Sequence, residues 1–154
     1  MNTWPYQSKI AFAAMPDAAY WTRRHLENVL SNWRCTQFIP NAKLVATELV
    51  TNAVKHSNDD VSSGHLGRST DGTLQMRHAY PPERVALIQV RVSHGNGRLL
   101  LEVWDRSERA PTEQLPDFAS ENERGLFVVS AFCEQWGWCL ANGGGKIVWA
   151  VLER

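Results

Sequence analysis

The sequence has little of what usually announces a specialised chemistry. Its 154 residues hold three cysteines, Cys35, Cys133 and Cys139, with no CxxC pair and no zinc-type spacing. The count is odd, so no disulfide framework follows, and reduced, mostly buried thiols are expected. Five histidines (His25, His56, His65, His78, His94) are scattered and form no HExxH pair. Neither sign of charge is in excess: 16 Lys+Arg face 16 Asp+Glu, which argues against a nucleic-acid partner. Ile10–Met15 is the only early apolar run, far below the roughly 20 residues of a membrane span. No basic run precedes an apolar core at the N-terminus, so no signal peptide is expected. These absences predict a soluble, cytoplasmic chain with no direct nucleic-acid or membrane partner.

What is present fits one ordinary domain over residues 1–154. Hydrophobic residues make up 44% and charged residues 21%, enough for a real core at this length. Ser8–Phe12 reads as a short strand. Pro16-Asp17 opens a helix to Trp33, with Ala18, Trp21, Leu26, Val29, Leu30 and Trp33 near helical spacing. Pro40-Asn41 marks the next boundary, with Asn41 as cap, and a second helix runs from Ala42 to about Ser57. Residues 58–82, rich in Asp, Ser, Gly and Pro, lose the apolar period and read as a flexible excursion. Val85–Ser93 and Arg98–Asp105 are strands joined by His94-Gly95-Asn96-Gly97, a strong hairpin signal. A second loop spans 106–122. A helix over Glu123–Gln135 and a closing hairpin, Trp136–Ala141 and Lys146–Leu152, complete the chain. Hairpins imply antiparallel pairing, so the expected fold is α+β: a two-layer sandwich of a mostly antiparallel sheet covered on one face by helices.

Three places carry polar residues open to both a structural and a chemical reading. In the second helix Ala42, Ala46, Leu49, Val50 and Ala53 share one face, and Glu48, Asn52 and Lys55 cluster opposite. That face is either simply solvated or, through two oxygens about 6 Å apart, able to hold a hydrated Mg2+. At the end of the second hairpin strand, Asp105 continues the phase of Leu99, Leu101 and Val103 to the rim of a buried face. Its carboxylate there either pairs with Arg106 or Arg109, caps the loop, or accepts the N–H of a ligand. Glu123-Arg124-Gly125-Leu126 opens a helix, where free N–H groups suit phosphate, Gly125 permits close approach and Arg124 adds a fork of donors. Helix capping alone accounts for Glu123 and Gly125 equally well.

Taken in order, these segments resemble the GHKL (Bergerat) ATP-binding fold, and within it the bacterial anti-sigma-factor serine/threonine kinase type. Glu48-Leu-Val-Thr-Asn52-Ala-Val-Lys-His56 resembles its N box. Asp105-Arg-Ser-Glu-Arg-Ala-Pro111 resembles the first glycine box, Glu123-Arg-Gly125-Leu126-Phe-Val-Val129 the second, and Gly144-Gly-Lys146-Ile-Val-Trp-Ala150 the closing strand. The resemblance implies ATP and Mg2+ as ligands, with Asn52 on the metal, Glu48 as the catalytic group that orients or deprotonates the attacking hydroxyl, and Asp105 accepting from the adenine amino group. His56, Ser107, Pro111, Arg124, Gly125, Leu126 and Lys146 would complete the nucleotide site under a lid formed by 106–122. It further implies a serine on a STAS-type anti-anti-sigma protein as phosphoacceptor, a sigma factor as binding partner, and a homodimer as the assembly to test for. With a lone carboxylate reading the base, ATP is expected to bind at least about tenfold tighter than GTP. The sequence departs from the family at Ser107, Arg109 and Glu123, where glycines are usual, and at Ile147, where a Thr is common near the adenine. Those departures keep open the alternative of a non-catalytic GHKL-fold binding module with weak or no ATP turnover.

Overall fold

The computed structural model describes residues 3–65, 86–111 and 121–153, with the side chains of 59–65 and 121–125 outside that description. Its elements are β1 (Tyr6–Ala13), α1 (Ala18–Asn32), a 3-10 turn (Thr36–Phe38), α2 (Ile39–His65), β2 (Leu87–Gly95), β3 (Arg98–Asp105), α3 (Glu121–Phe132), β4 (Gln135–Leu140) and β5 (Lys146–Glu153). The strands form one five-stranded sheet in the order β1-β2-β3-β5-β4, and every neighbouring pair is antiparallel. The chain is therefore α+β, with its helices on one face of the sheet.

Strand alternation builds the core. Ile88, Val90 and Val92 on β2, Leu99, Leu101 and Val103 on β3, and Val148, Ala150 and Leu152 on β5 all point under the helices and are buried. Helix α2 lies across them with Ala42, Val45, Ala46, Leu49, Val50 and Ala53 buried at helical spacing. Helix α1 packs on α2 through Ala18, Thr22, Leu26 and Leu30. The opposite face of the sheet carries a fork–fork pair, Arg91 to Glu102 at 2.8 and 2.7 Å, beside Trp104.

Several boundaries differ from the sequence reading, each for a local reason. On α1 the buried position is Thr22, whose hydroxyl donates to the Ala18 carbonyl at 2.8 Å, whereas Trp21 is half exposed and donates to Asp17. Asn41 caps nothing: the 3-10 turn runs directly into α2 at Ile39, and Pro40 in the first turn gives up an N–H that needs no partner there. Helix α2 continues past Ser57 to His65 because no proline or glycine interrupts it before Gly64. The remainder of the expected excursion, 66–82, and the lid segment 112–120 lie outside the described residues. Helix α3 stops at Phe132, so Gln135 opens β4 instead of closing the helix. Cys35 is buried, but Cys139 on β4 is exposed.

The two hairpin turns are set by backbone sign. Asn96 (φ 52°) and Gly97 (φ 75°) both take positive φ, the type I′ geometry that matches strand twist. Gly145 (φ 79°) lies so close to the chain that a Cβ there would sit 2.3 Å from the Asp105 carbonyl oxygen. Only glycine lets β5 begin beside the end of β3, which brings Lys146 opposite Asp105.

Candidate functional site

One cavity gathers residues from all four singled-out segments. Leu49, Asn52, Ala53 and His56 of α2, Val103 and Asp105 of β3, Pro111, Leu126 of α3, and Lys146 and Val148 of β5 line one small cavity. It has room for about one water molecule. Its walls are apolar and its polar atoms converge at the β3–β5 end.

That end is built around a buried ion pair. Asp105 is 1% exposed and Lys146 is fully buried. The Lys146 ammonium donates to Asp105 Oδ1 at 3.0 Å and lies 3.0 Å from His56 Nδ1. His56 then accepts through Nδ1, which assigns its ring proton to Nε2. The same Asp105 oxygen accepts the Ser107 backbone N–H at 2.8 Å, closing an Asx turn. Ser107 Oγ in turn accepts the Arg109 N–H at 3.2 Å. Removing two charges from water costs several kcal/mol per ion, which mutual attraction and further hydrogen bonds must offset. Here the carboxylate has the ammonium and an N–H, and the ammonium has the carboxylate and an imidazole.

Asp105 therefore sits inside the core, not at its rim, and its basic partner is Lys146. Arg106, one of the two expected partners, reaches instead to the Ser57 carbonyl at 3.4 Å. Ser107 is fully buried and acts on the site by fixing the Asp105 loop. Ile147 lies on the other face of the sheet, with Lys9, Gln89, Arg91, Glu102 and Trp104. The β5 side chain that meets the cavity is Lys146, so the missing hydroxyl at Ile147 has no bearing on it.

On α2, Asn52 is half-buried and borders the same cavity as Leu49 and Ala53, so it flanks the apolar face instead of opposing it. Glu48, one turn earlier, is half-buried and does not line the cavity. Burial holds its carboxyl above the ordinary glutamate range, the direction that suits a proton acceptor near neutral pH. Lys55 is exposed. Helix α3 starts at Glu121, two residues before the expected Glu123, so Arg124 ends its first turn and Gly125 follows in the second; side-chain placement at 121–125 lies outside the described residues. Of the candidate residues the structure thus brings together Asn52, His56, Asp105, Pro111, Leu126 and Lys146 around one space, with Ser107 behind Asp105.

Sequence reasoning missed the Asp105–Lys146–His56 chain of contacts. The signal was present: Lys146 shares the strand phase of Val148, Ala150 and Leu152, so a lysine stood on a core-facing register. Among the described residues no group of three or more His, Cys, Asp or Glu side chains could hold a metal ion. No described helix is long and apolar enough to cross a membrane. No known family profile matches the chain, and no curated protein matches it.

Proposed function

We propose that this chain is an ATP-binding regulatory protein of the GHKL fold, of the anti-sigma serine/threonine kinase type. The observation that carries the reading is convergence: residues of the N-box-like, first-box-like, second-box-like and closing-strand-like segments, distant in sequence, line one cavity. The residue types of its lining, though not its present room for about one water, match what a purine base requires. A flat ring needs apolar walls and a few fixed polar atoms, and Leu49, Ala53, Val103, Leu126 and Val148 supply the walls around Asp105. A magnesium ion fits as well, since it keeps several waters and takes phosphate oxygens, so the Asn52 carboxamide oxygen suffices as its protein ligand.

In this reading ATP supplies a transferable phosphoryl group. Asp105 accepts from the base, Asn52 holds the metal end, and the first turn of α3 offers backbone N–H groups to the phosphates. Glu48 takes the proton of the attacking serine hydroxyl, and burial tunes it toward that task. Catalysis is then positioning and charge neutralisation, as phosphoryl transfer requires. The acceptor is a serine of a STAS-type anti-anti-sigma protein, and the alternative partner of the same surface is a sigma factor. The test is transfer of labelled phosphate from Mg·ATP to a STAS-type protein. Labelled serine that disappears in Glu48→Gln supports the kinase reading.

A second reading is favoured by one specific observation. Asp105 is already held by Lys146, in a cavity with room for about one water. A base must displace or share that contact, which suits a non-catalytic module that keeps the fold and its partner surface. Binding of the partner without phosphate transfer, unaffected by nucleotide, selects that reading.

A further inference from the structure

The sheet ends on two edge strands, β1 and β4, and they are not alike. An edge strand presents unpaired N–H and C=O groups to any other strand, and a charged side chain is one device that discourages such pairing. β1 carries Lys9 near its middle. β4, Gln135-Trp-Gly-Trp-Cys-Leu140, has no charge and no proline, and among the described residues it pairs with β5 alone. Trp138, Cys139 and Leu140 are exposed in succession.

The outward backbone groups of β4 follow from its pairing with β5. The Ala141 N–H donates to the Gly145 carbonyl at 2.9 Å, one step beyond the pair Leu140–Lys146. Antiparallel bonding alternates along a strand. Cys139, Gly137 and Gln135 therefore turn their N–H and C=O groups toward β5, and Trp136, Trp138 and Leu140 turn theirs outward. The same three side chains stand on the helix side of the sheet, opposite Ala150, Val148 and Lys146. The helical layer does not reach all of them. Trp136 donates to Ser130 of α3 at 2.8 Å and is partly covered, whereas Trp138 is 39% and Leu140 58% exposed.

We propose that β4 is an interaction surface for a second copy of this chain, with the two β4 strands antiparallel about a two-fold axis at Trp138 and the two sheets joined into one. The strand's own pattern fits its copy. A two-fold axis normal to the sheet keeps every side chain on its own face. Centred on Trp138, it sets that residue opposite its own copy, and Trp136 of each chain opposite Leu140 of the other. These are the outward-bonding positions, where paired residues exchange both N–H···O bonds. Trp136, with α3 behind it, comes beside the bare Leu140. Neither strand carries a charge, so identical strands meet with no like charges opposed. A partner strand selected by charge would find no counter-charge here. Stable interfaces bury about 1,200–2,000 Å2 in all, and a strand of 6 residues stands at the small end, so micromolar affinity is expected. This surface lies beyond the nucleotide reading and does not depend on it.

The test is sedimentation equilibrium of the full chain, with circular dichroism as the fold check on each variant. The wild type is expected to show a monomer–dimer equilibrium in the micromolar range. Trp138→Lys and Trp138→Glu each set like charges face to face on the axis, so each alone is expected to weaken the dimer at least about tenfold. Mixing the two is expected to restore it, because Lys then faces Glu. Leu140→Pro removes an outward N–H and none that bonds β5, so it is expected to give a folded monomer, and it keeps the test decisive if a Trp138 variant does not fold. A wild type that stays monomeric at submillimolar concentration overturns the proposal. So does open-ended assembly, which requires β4 to meet a different surface, and so does a dimer that the folded variants leave unchanged. A mixture of the folded Lys and Glu variants that stays monomeric overturns the pairing at Trp138.

Discussion

At the residue scale, Asp105 and Lys146 set both the stability and the chemistry of the site. Each is buried to 1% or less and they form a salt bridge at 3.0 Å. Removing one partner of such a pair typically costs about 3–5 kcal/mol, because the other charge stays buried, whereas replacing both with neutral groups costs far less. Urea denaturation of Asp105→Asn, Lys146→Met and the double variant should show this: each single change destabilises strongly, and the double falls well short of their sum. Additive losses would mean that the two side chains act independently. Glu48 gives a second residue-scale prediction, and its sign follows from burial. Its carboxyl is held above the ordinary range, so the folded chain binds that proton more tightly than the unfolded chain does. The carboxylate then weighs against folding once pH rises through the raised value, and is neutral below the ordinary glutamate pKa of about 4.3. Glu48→Gln should raise Tm at pH 7, with the gain fading as pH falls toward 4. The same variant should keep nucleotide affinity while phosphate transfer drops about 10²–10⁴-fold. A Tm gain that is equal at both pH values would show that ionisation is not its cause.

At the scale of elements, much of the fold is legible in the sequence. β3 matched its reading over Arg98–Asp105, since alternation of Leu99, Leu101 and Val103 has no competing period. The Asn96-Gly97 turn was legible for the same kind of reason: few residue pairs accept positive φ twice. The misses came from signals that tertiary packing overrides. Thr22 takes the buried place on α1 because its hydroxyl bonds back to Ala18, which leaves the larger Trp21 outside. Helix α2 runs beyond its expected end because polar residues lower helix propensity only by tenths of a kcal/mol each. In the site, strand phase marks Asp105 and the expected loop cap forms at the Ser107 N–H, but Lys146 is not among the sequence neighbours, Arg106 and Arg109, from which a basic partner is expected. The partner came from a strand 41 residues away, through a register that the turn at Gly145 fixes. That turn carries a prediction. Gly145→Ala must place a methyl 2.3 Å from the Asp105 carbonyl at φ 79°, whereas Gly97→Ala at φ 75° meets nothing within 4 Å. Gly97→Ala should cost about 1 kcal/mol, from backbone sign alone. Gly145→Ala should cost clearly more in urea midpoint and should also weaken nucleotide binding. Equal costs would show that β5 does not depend on this close approach.

At the scale of the whole molecule, the sheet delivers Asp105 and Lys146 from adjacent strands, α2 lays Asn52 and His56 above them, and Leu126 of α3 closes the side. The arrangement is a shallow layer of helices over a sheet with one polar end, and its proposed role turns on whether that end takes a nucleotide. A ligand that binds only the folded chain stabilises it by about 2.7 kcal/mol at 100 times its dissociation constant, so binding is readable without knowing any partner protein. The most direct measurement is a calorimetric titration of the purified chain with Mg·ATP, repeated on Asn52→Ala. Saturable binding at one nucleotide per chain, weakened in Asn52→Ala and dependent on magnesium in the wild type, is the result this account predicts. No saturable heat at millimolar Mg·ATP, with the wild-type chain folded, would contradict it.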